Sequence, residues 1–262
     1  PPSDPPPPGR LSSVPADFNG DGRSDVSYYR ADTGHWFIKD GPTHHWGVGG
    51  DIPVPGDYNG DKKTDIAVFR ASTSQWFIKD QAVVFWGVEG DIPVPGDYDG
   101  DGDTDVAIWR PSTGQWFVKD QFVVVYGLST DIPVPGDYNG DGRTNIAVFR
   151  PSTGQWFIEN RPTTHWGMVG DIPVPGDYTG DGKTDLVVFR PSTGQWFVKD
   201  GPVVHWGVSS DVPAPGDYNG DGMIDIAVYR TETGAWWVHG NSPITWGGQG
   251  SDKPLPSMPW MY

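Results

Sequence analysis

Six times along the chain, at a spacing of 40 residues, side-chain oxygen donors fall on the same places of a nine-residue stretch. The fullest copy is Asp97-Tyr98-Asp99-Gly100-Asp101-Gly102-Asp103-Thr104-Asp105, with carboxylates at positions 1, 3, 5 and 9 and glycine at 4 and 6. Donors of that type and spacing describe a cage for a hard cation. Calcium takes six to eight oxygens at about 2.3–2.6 Å, so acidic groups must converge on one point. The glycines permit the positive φ that wraps a short chain around an ion. Position 7 can add its main-chain carbonyl.

The predicted ligand sets are Asp17, Asn19, Asp21, Arg23 and Asp25 in the first loop and Asp57, Asn59, Asp61, Lys63 and Asp65 in the second. They continue with Asp97, Asp99, Asp101, Asp103 and Asp105 in the third and Asp137, Asn139, Asp141, Arg143 and Asn145 in the fourth. The fifth set is Asp177, Thr179, Asp181, Lys183 and Asp185; the sixth is Asp217, Asn219, Asp221, Met223 and Asp225. Arg, Lys and Met enter only through the carbonyl at position 7. The expected cofactor is Ca²⁺, up to six ions, one per repeat. The second, fourth and fifth loops are expected to bind more weakly. Lys62 replaces the position-6 glycine, Asn145 ends the fourth loop without charge, and Thr179 stands at position 3 of the fifth.

EF-hands and dockerins begin with similar residues but need an acidic ligand at position 12 and helical flanks. Position 12 here is Tyr28, Val68, Ile108, Val148, Val188 or Val228, and the flanking segments carry β-forming residues. The remaining alternative is a set of Asx-rich turns holding no ion. It leaves clusters of mutually repelling carboxylates without compensation.

These loops need a scaffold that repeats with them. The 40-residue unit is complete in residues 131–170, with four strand candidates at 134–138, 146–150, 155–159 and 163–166. In Ile146-Ala147-Val148-Phe149 both faces are apolar, which suits a strand buried between neighbouring sheets. Pro151-Ser152-Thr153-Gly154 has the composition of a tight turn. A repeated four-stranded meander of this length is the pattern of propeller blades. The expected fold is therefore all-β: a six-bladed β-propeller of four-stranded antiparallel blades over residues 11–250. The ion loops then share one face with the turn after each third strand; the Pro-Ser-Thr-Gly turns and blade connections lie opposite.

The run from the Gly-Asp-Tyr at each loop through the Asp-Ile-Ala-Val-Phe-Arg type of segment after it resembles the FG-GAP/VCBS repeats of integrin-like β-propellers. The resemblance covers nearly the whole chain. It implies an ion loop between the innermost and second strand of each blade. It also implies extracellular calcium-binding modules used in adhesion, recognition or attachment to enzymes.

Residues 1–10 are proline-dense, which predicts an extended linker to something upstream. Residues 251–262 are expected as a tail at the ring seam, padding blade one, with Val14–Phe18 supplying that blade's inner strand. Asp252-Lys253-Pro254-Leu255-Pro256 echoes the repeat's Asp-Ile-Pro-Val-Pro, so competition for the inner position is the alternative.

Of the 34 acidic residues 19 lie in the six loops, and six divalent ions would bring the formal charge from −16 to −4. With no basic patch, a nucleic-acid partner is not expected. No apolar run reaches the length of a membrane span, no signal peptide is visible, and the absence of cysteine excludes a disulfide scaffold.

Other recurrent residues have structural readings. Trp36, Trp76, Trp116, Trp156, Trp196 and Trp236 are expected in blade packing, as are Trp46, Trp86, Tyr126, Trp166, Trp206 and Trp246. Stacking on sugars is the alternative for both sets. Arg30, Arg70, Arg110, Arg150, Arg190 and Arg230 are expected to pair with Asp51, Asp91, Asp131, Asp171 and Asp211. His45, His165 and His205 fall in different blades and are expected on outer strands. No nucleophile elbow, zinc-protease motif or phosphate loop is present. The expected function is a non-enzymatic, secreted or cell-surface, calcium-binding recognition or adhesion module that binds an extracellular protein or other cell-surface partner, a glycan included, through the face opposite the ions. A multivalent lectin and an accessory domain of a secreted enzyme are the alternatives.

Overall fold

The computed structural model describes residues 14–255. The proline-dense segment 1–10 and the part of the tail beyond residue 255 lie outside the described residues. Six four-stranded antiparallel sheets, five in meander order and one completed by the last described strand, form a six-bladed β-propeller with no helix among the described residues. In blade four the inner strand is Ile132–Pro133, followed by Ala147–Arg150, Gln155–Ile158 and Thr164–His165. The ion loop joins the inner strand to the second, as expected.

The inner strand lies earlier than the sequence suggests. Pairing runs through Ile132↔Phe149 and Pro133↔Val148, and one more bond forms from Val134 N to Ala147 O at 2.8 Å. Pro135 then offers no donor, and main-chain pairing resumes as an isolated bridge, Gly136↔Asn145, at the loop mouth. The 134–138 segment is thus loop approach rather than strand.

The second strand is buried on both faces, as its composition requires. Ile146 and Val148 pack with Ala107, Trp109 and Trp116 of blade three. Ala147 and Phe149 pack on the other side with Leu186 and Val188 of blade five. Each burial of a side chain this size is worth about 2 kcal/mol. The tight turn after this strand is closed by Gly154 N to Arg150 O at 2.9 Å, with Gly154 at φ 66. A Cβ there would lie 2.2 Å from Gly167 O, so the close approach of the blade connection excludes a side chain. The same contact confirms that this turn and the connection share a face. The turn Lys39-Asp40-Gly41-Pro42 lines a groove with the first ion loop, on the other face.

The seam corrects one expectation. Asp252–Leu255 does not pad blade one; it is hydrogen-bonded as its inner strand, with Ser27↔Leu255, Tyr28↔Pro254, Tyr29↔Lys253 and Arg30↔Asp252 in register. Of the expected Val14–Phe18 strand, only the loop-proximal role remains. Asp25 N donates to Ala16 O at 2.8 Å, matching Asp65 N to Gly56 O in blade two. The inner line of blade one is therefore composite, its two ends coming from opposite ends of the described chain. The physical reason lies in the residues: Leu11-Ser12-Ser13 lacks the aspartate that Arg30 requires, whereas Asp252 supplies it.

Candidate metal loops and the ring that joins them

Within each loop the position-1 carboxylate is the hub. Asp57 Oδ1 accepts the N–H groups of Gly60 and Asp61 at 2.8 and 3.2 Å, and Oδ2 accepts Lys62 N at 2.8 Å. Asp17, Asp177 and Asp217 repeat this arrangement. Asp97 and Asp137 likewise accept from glycines at positions 4 and 6. The position-9 group accepts the position-2 N–H, as in Tyr98 N to Asp105 Oδ2 at 2.7 Å. Asn145 fills that role through Oδ1 at 2.9 Å, so its neutral oxygen keeps the shape without the charge. Position 5 accepts the position-7 N–H, Asp101 from Asp103 at 2.9 Å and Asp221 from Met223 at 2.9 Å.

In the third loop Asp97, Asp99 and Asp105 each bring an oxygen within 4.8 Å of the others. Asp101 is outside this group. In the first, second and sixth loops position 3 touches position 9 through an amide, Asn19 Nδ2 to Asp25 Oδ1 at 2.8 Å for example. Thr179 Oγ1 reaches Asp185 at 3.4 Å in the fifth. The fourth loop differs: Asn139 turns its amide to Asp141 Oδ2 at 2.9 Å. Lys62 takes φ 66 where the other loops have glycine, a left-handed conformation costing about 1 kcal/mol for a residue with a Cβ.

The electrostatics follow from the crowding. Burial, reinforced by neighbouring carboxylates, raises the pKa of Asp25, Asp65, Asp97, Asp105, Asp185 and Asp225. The six recurrent arginines are engaged elsewhere, and Lys183 Nζ stands 4.0 Å from Asp181. In the third loop the hard oxygens of Asp97, Asp99 and Asp105 are held together with no ion pair to any of them among the described residues, and such a set fits Ca²⁺ by donor chemistry.

Position 7 plays a part that the spacing did not reveal. Its side chain leaves its own loop and covers the position-4 glycine of the preceding one. A Cβ on Gly100 would lie 2.9 Å from Arg143 Cγ, and one on Gly60 would lie 2.3 Å from Asp103 Oδ1. Lys63, Lys183, Met223 and Arg23 cover Gly20, Gly140, Gly180 and Gly220 in the same way. Beside these contacts the position-8 N–H donates to the position-1 carbonyl of the preceding loop. The bonds are Thr64 to Asp17, Thr104 to Asp57, Thr144 to Asp97, Thr184 to Asp137, Ile224 to Asp177 and Ser24 to Asp217, all 2.6–2.7 Å. They close a circle. The recurring Thr at position 8 was the only sequence signal, and its meaning depends on ring closure.

The arginines pair as predicted, and the seam supplies a sixth partner. Arg110 Nε and Nη2 meet Asp91 Oδ1 and Oδ2 at 2.8 and 2.9 Å, and Arg30 makes the equivalent pair with Asp252. Asp91 Oδ2 also accepts Val88 N, fixing the blade connection. The guanidinium lies 4.4 Å from the Phe117 ring centroid.

The first tryptophan set is fully buried. Each Nε1 donates to a carbonyl of the second set, Trp76 to Trp86 O at 3.1 Å for instance. Trp46, Trp86, Trp166 and Trp206 in turn donate to the next blade, at Phe77, Phe117, Phe197 and Trp237 carbonyls. The first set and these four of the second are structural stitches, whereas Trp246 Nε1 is buried without a hydrogen-bond partner. His45, His165 and His205 are exposed on outer strands.

Grooves of about 570 and 850 Å³ open on the ion face beside the first loop. The smaller is lined by Asn19, Asp21, His44, Asp61, Lys63 and Lys79 among others. Concave space therefore occurs on the ion face, whereas the docking expectation favoured the opposite one. No helix among the described residues is long and apolar enough to cross a membrane.

No family model matches the chain, and no curated protein matches it in sequence. Among solved structures it is similar to an Agrocybe aegerita lectin described for specific recognition of non-reducing terminal N-acetylglucosamine. That match has 16% identity and a TM-score of 0.54, covering 94% of this chain and 79% of the lectin. A second is the V. cholerae biofilm matrix protein Bap1, at 15% identity and a TM-score of 0.36, covering 97% of this chain and 62% of that one. The first likeness bears on the propeller fold.

Proposed function

We propose that this chain is a non-enzymatic, extracellular recognition module whose ring is stabilised by calcium, as FG-GAP/VCBS-like propellers are expected to be. The observation that supports it is the contrast in charge balance. The six recurrent buried acids at the blade connections each own an arginine, while Asp97, Asp99 and Asp105 converge in the third loop without one. The residues that would hold the ion are those at positions 1, 3, 5 and 9 of each loop, with the position-7 carbonyl. Bound calcium supplies charge neutralisation and ties the inner strand to the second. Because it would bind only the folded loop, it stabilises the native state by mass action. The third loop, with the most carboxylates, is the strongest site on this reading, and the fourth the weakest.

The recognition partner is an extracellular protein or a glycan. Likeness in fold to a lectin over nearly the full chain favours testing glycans first, although fold alone does not carry binding specificity. Six similar blades could offer repeated sites and gain avidity. A glycan array with the calcium-loaded chain is the direct test. A calcium-dependent multivalent response supports the lectin reading, and a blank array with capture by a defined extracellular protein supports the adhesive one. Turnover of a polysaccharide lost on a single propeller substitution would overturn both.

A further inference from the structure

Four of the six loops place asparagine at position 3 directly before glycine: Asn19-Gly20, Asn59-Gly60, Asn139-Gly140 and Asn219-Gly220. All four asparagines are exposed. Each folds its side chain back in an Asx turn. The side-chain Oδ1 accepts the N–H two residues on, from Asp21, Asp61, Asp141 and Asp221 at 2.8, 3.0, 2.8 and 2.8 Å. The intervening glycine N–H points the other way, into the position-1 carboxylate. Gly20, Gly60, Gly140 and Gly220 donate to Asp17, Asp57, Asp137 and Asp217 at 2.7, 2.8, 2.6 and 2.6 Å.

These contacts supply two groups that assist an intramolecular acyl transfer. The glycine nitrogen is the nucleophile, and the adjacent amide carbon Cγ is the electrophile. The N–H on Oδ1 stabilises negative charge as it develops there, and the carboxylate on the glycine N–H is placed to accept its proton. Glycine adds no Cβ to obstruct closure of the five-membered ring. We propose that Asn19, Asn59, Asn139 and Asn219 are sites of spontaneous deamidation, which converts the neutral position-3 donor into a carboxylate.

The step balances without a co-reactant other than water. The glycine N–Cγ bond forms and the Cγ–Nδ2 bond breaks. The proton from the glycine nitrogen passes to the departing amide nitrogen, and ammonia leaves. Water then opens the succinimide. Cleavage of the new N–Cγ bond gives aspartate; cleavage at the original main-chain carbonyl gives isoaspartate. The aspartate product has the position-3 donor that the third loop already carries as Asp99 before Gly100. The isoaspartate product lengthens the main chain by one methylene between positions 3 and 4, which the hydrogen bonds onto position 1 cannot absorb. Each event also adds one negative charge, so the loops would diverge in charge and shape as the molecule ages.

The test uses the intact chain in chelator, so that it stands apart from the calcium reading. The protein is held in warm, mildly alkaline buffer and its peptides are followed by mass spectrometry. The four asparagines should gain about one dalton, at least about ten-fold faster than Asn160 and Asn241, which precede Arg161 and Ser242. In Asp137→Asn, conversion at Asn139 should slow while Asn219 in the same molecule proceeds at its former rate. Rates at the Asn-Gly pairs no faster than at Asn160 and Asn241 would overturn the proposal. An unchanged rate at Asn139 in Asp137→Asn would overturn the role of the carboxylate. If that variant loses its loop fold, the comparison within the unaltered chain still decides.

Discussion

Two sets of aspartates recur around the ring at the same interval, and they live under opposite conditions. Asp51, Asp91, Asp131, Asp171, Asp211 and Asp252 are almost wholly buried, yet each meets a two-pronged arginine and a main-chain N–H. The loop aspartates receive many N–H donors but no comparable cation, and several are pushed toward holding protons. The first set is neutralised by arginine within the chain; the second has main-chain N–H donors in place of such a partner. The difference shows how one residue type can close a fold at one face and remain crowded with like charge at the other.

The largest effect is expected from breaking the balanced set at the seam. Asp252→Ala removes the counter-charge of Arg30 and a contact between opposite ends of the described chain. Arg110→Ala leaves buried Asp91 without its cation. Chemical denaturation should show each destabilised by about 3 kcal/mol or more, with Asp252→Ala the worse because it opens the ring. A loss below 1 kcal/mol for Arg110→Ala, as for an exposed pair, would erase the contrast.

An intermediate effect concerns protons at the unbalanced set. Carboxylates with raised pKa in the folded state bind protons more tightly folded than unfolded. They therefore add stability as pH falls through that range and lose it as pH rises. In chelator, acidification into the range just above the ordinary carboxylate pKa should raise the melting temperature. With calcium present it should lower it, because protons and the ion compete for the same oxygens. Scanning calorimetry across pH, with and without calcium, checks the change of sign.

The smallest effect is local. Lys62→Gly relieves the left-handed strain and keeps the N–H that bonds Asp57 Oδ2. It should stabilise the chain by about 1 kcal/mol, whereas Gly102→Lys in the third loop should cost a similar amount.

Much of this was legible in the residues themselves. The repeat, the blade count, the two-faced Ile146–Phe149 strand and the Arg–Asp pairs all follow from local pattern. What failed to show were features that exist only once the ring closes. Asp252 reads as a weak echo until Arg30 is beside it. The contacts made by position 7 and Thr at position 8 involve the neighbouring loop, so no single repeat contains both partners. Pro135 was visible, but its consequence, shifting the inner strand back to Ile132–Pro133, depends on which N–H groups the next strand needs. The amide stitches from Trp46 and its counterparts likewise require the next blade.

The central claim is that calcium supplies the charge the loops lack. It is tested most directly by isothermal titration of the chelator-stripped chain with calcium, followed by thermal melting of both forms. Saturable binding with a stoichiometry above one and a clear rise in melting temperature are the predicted results. No heat of binding and superimposable melting curves would contradict it.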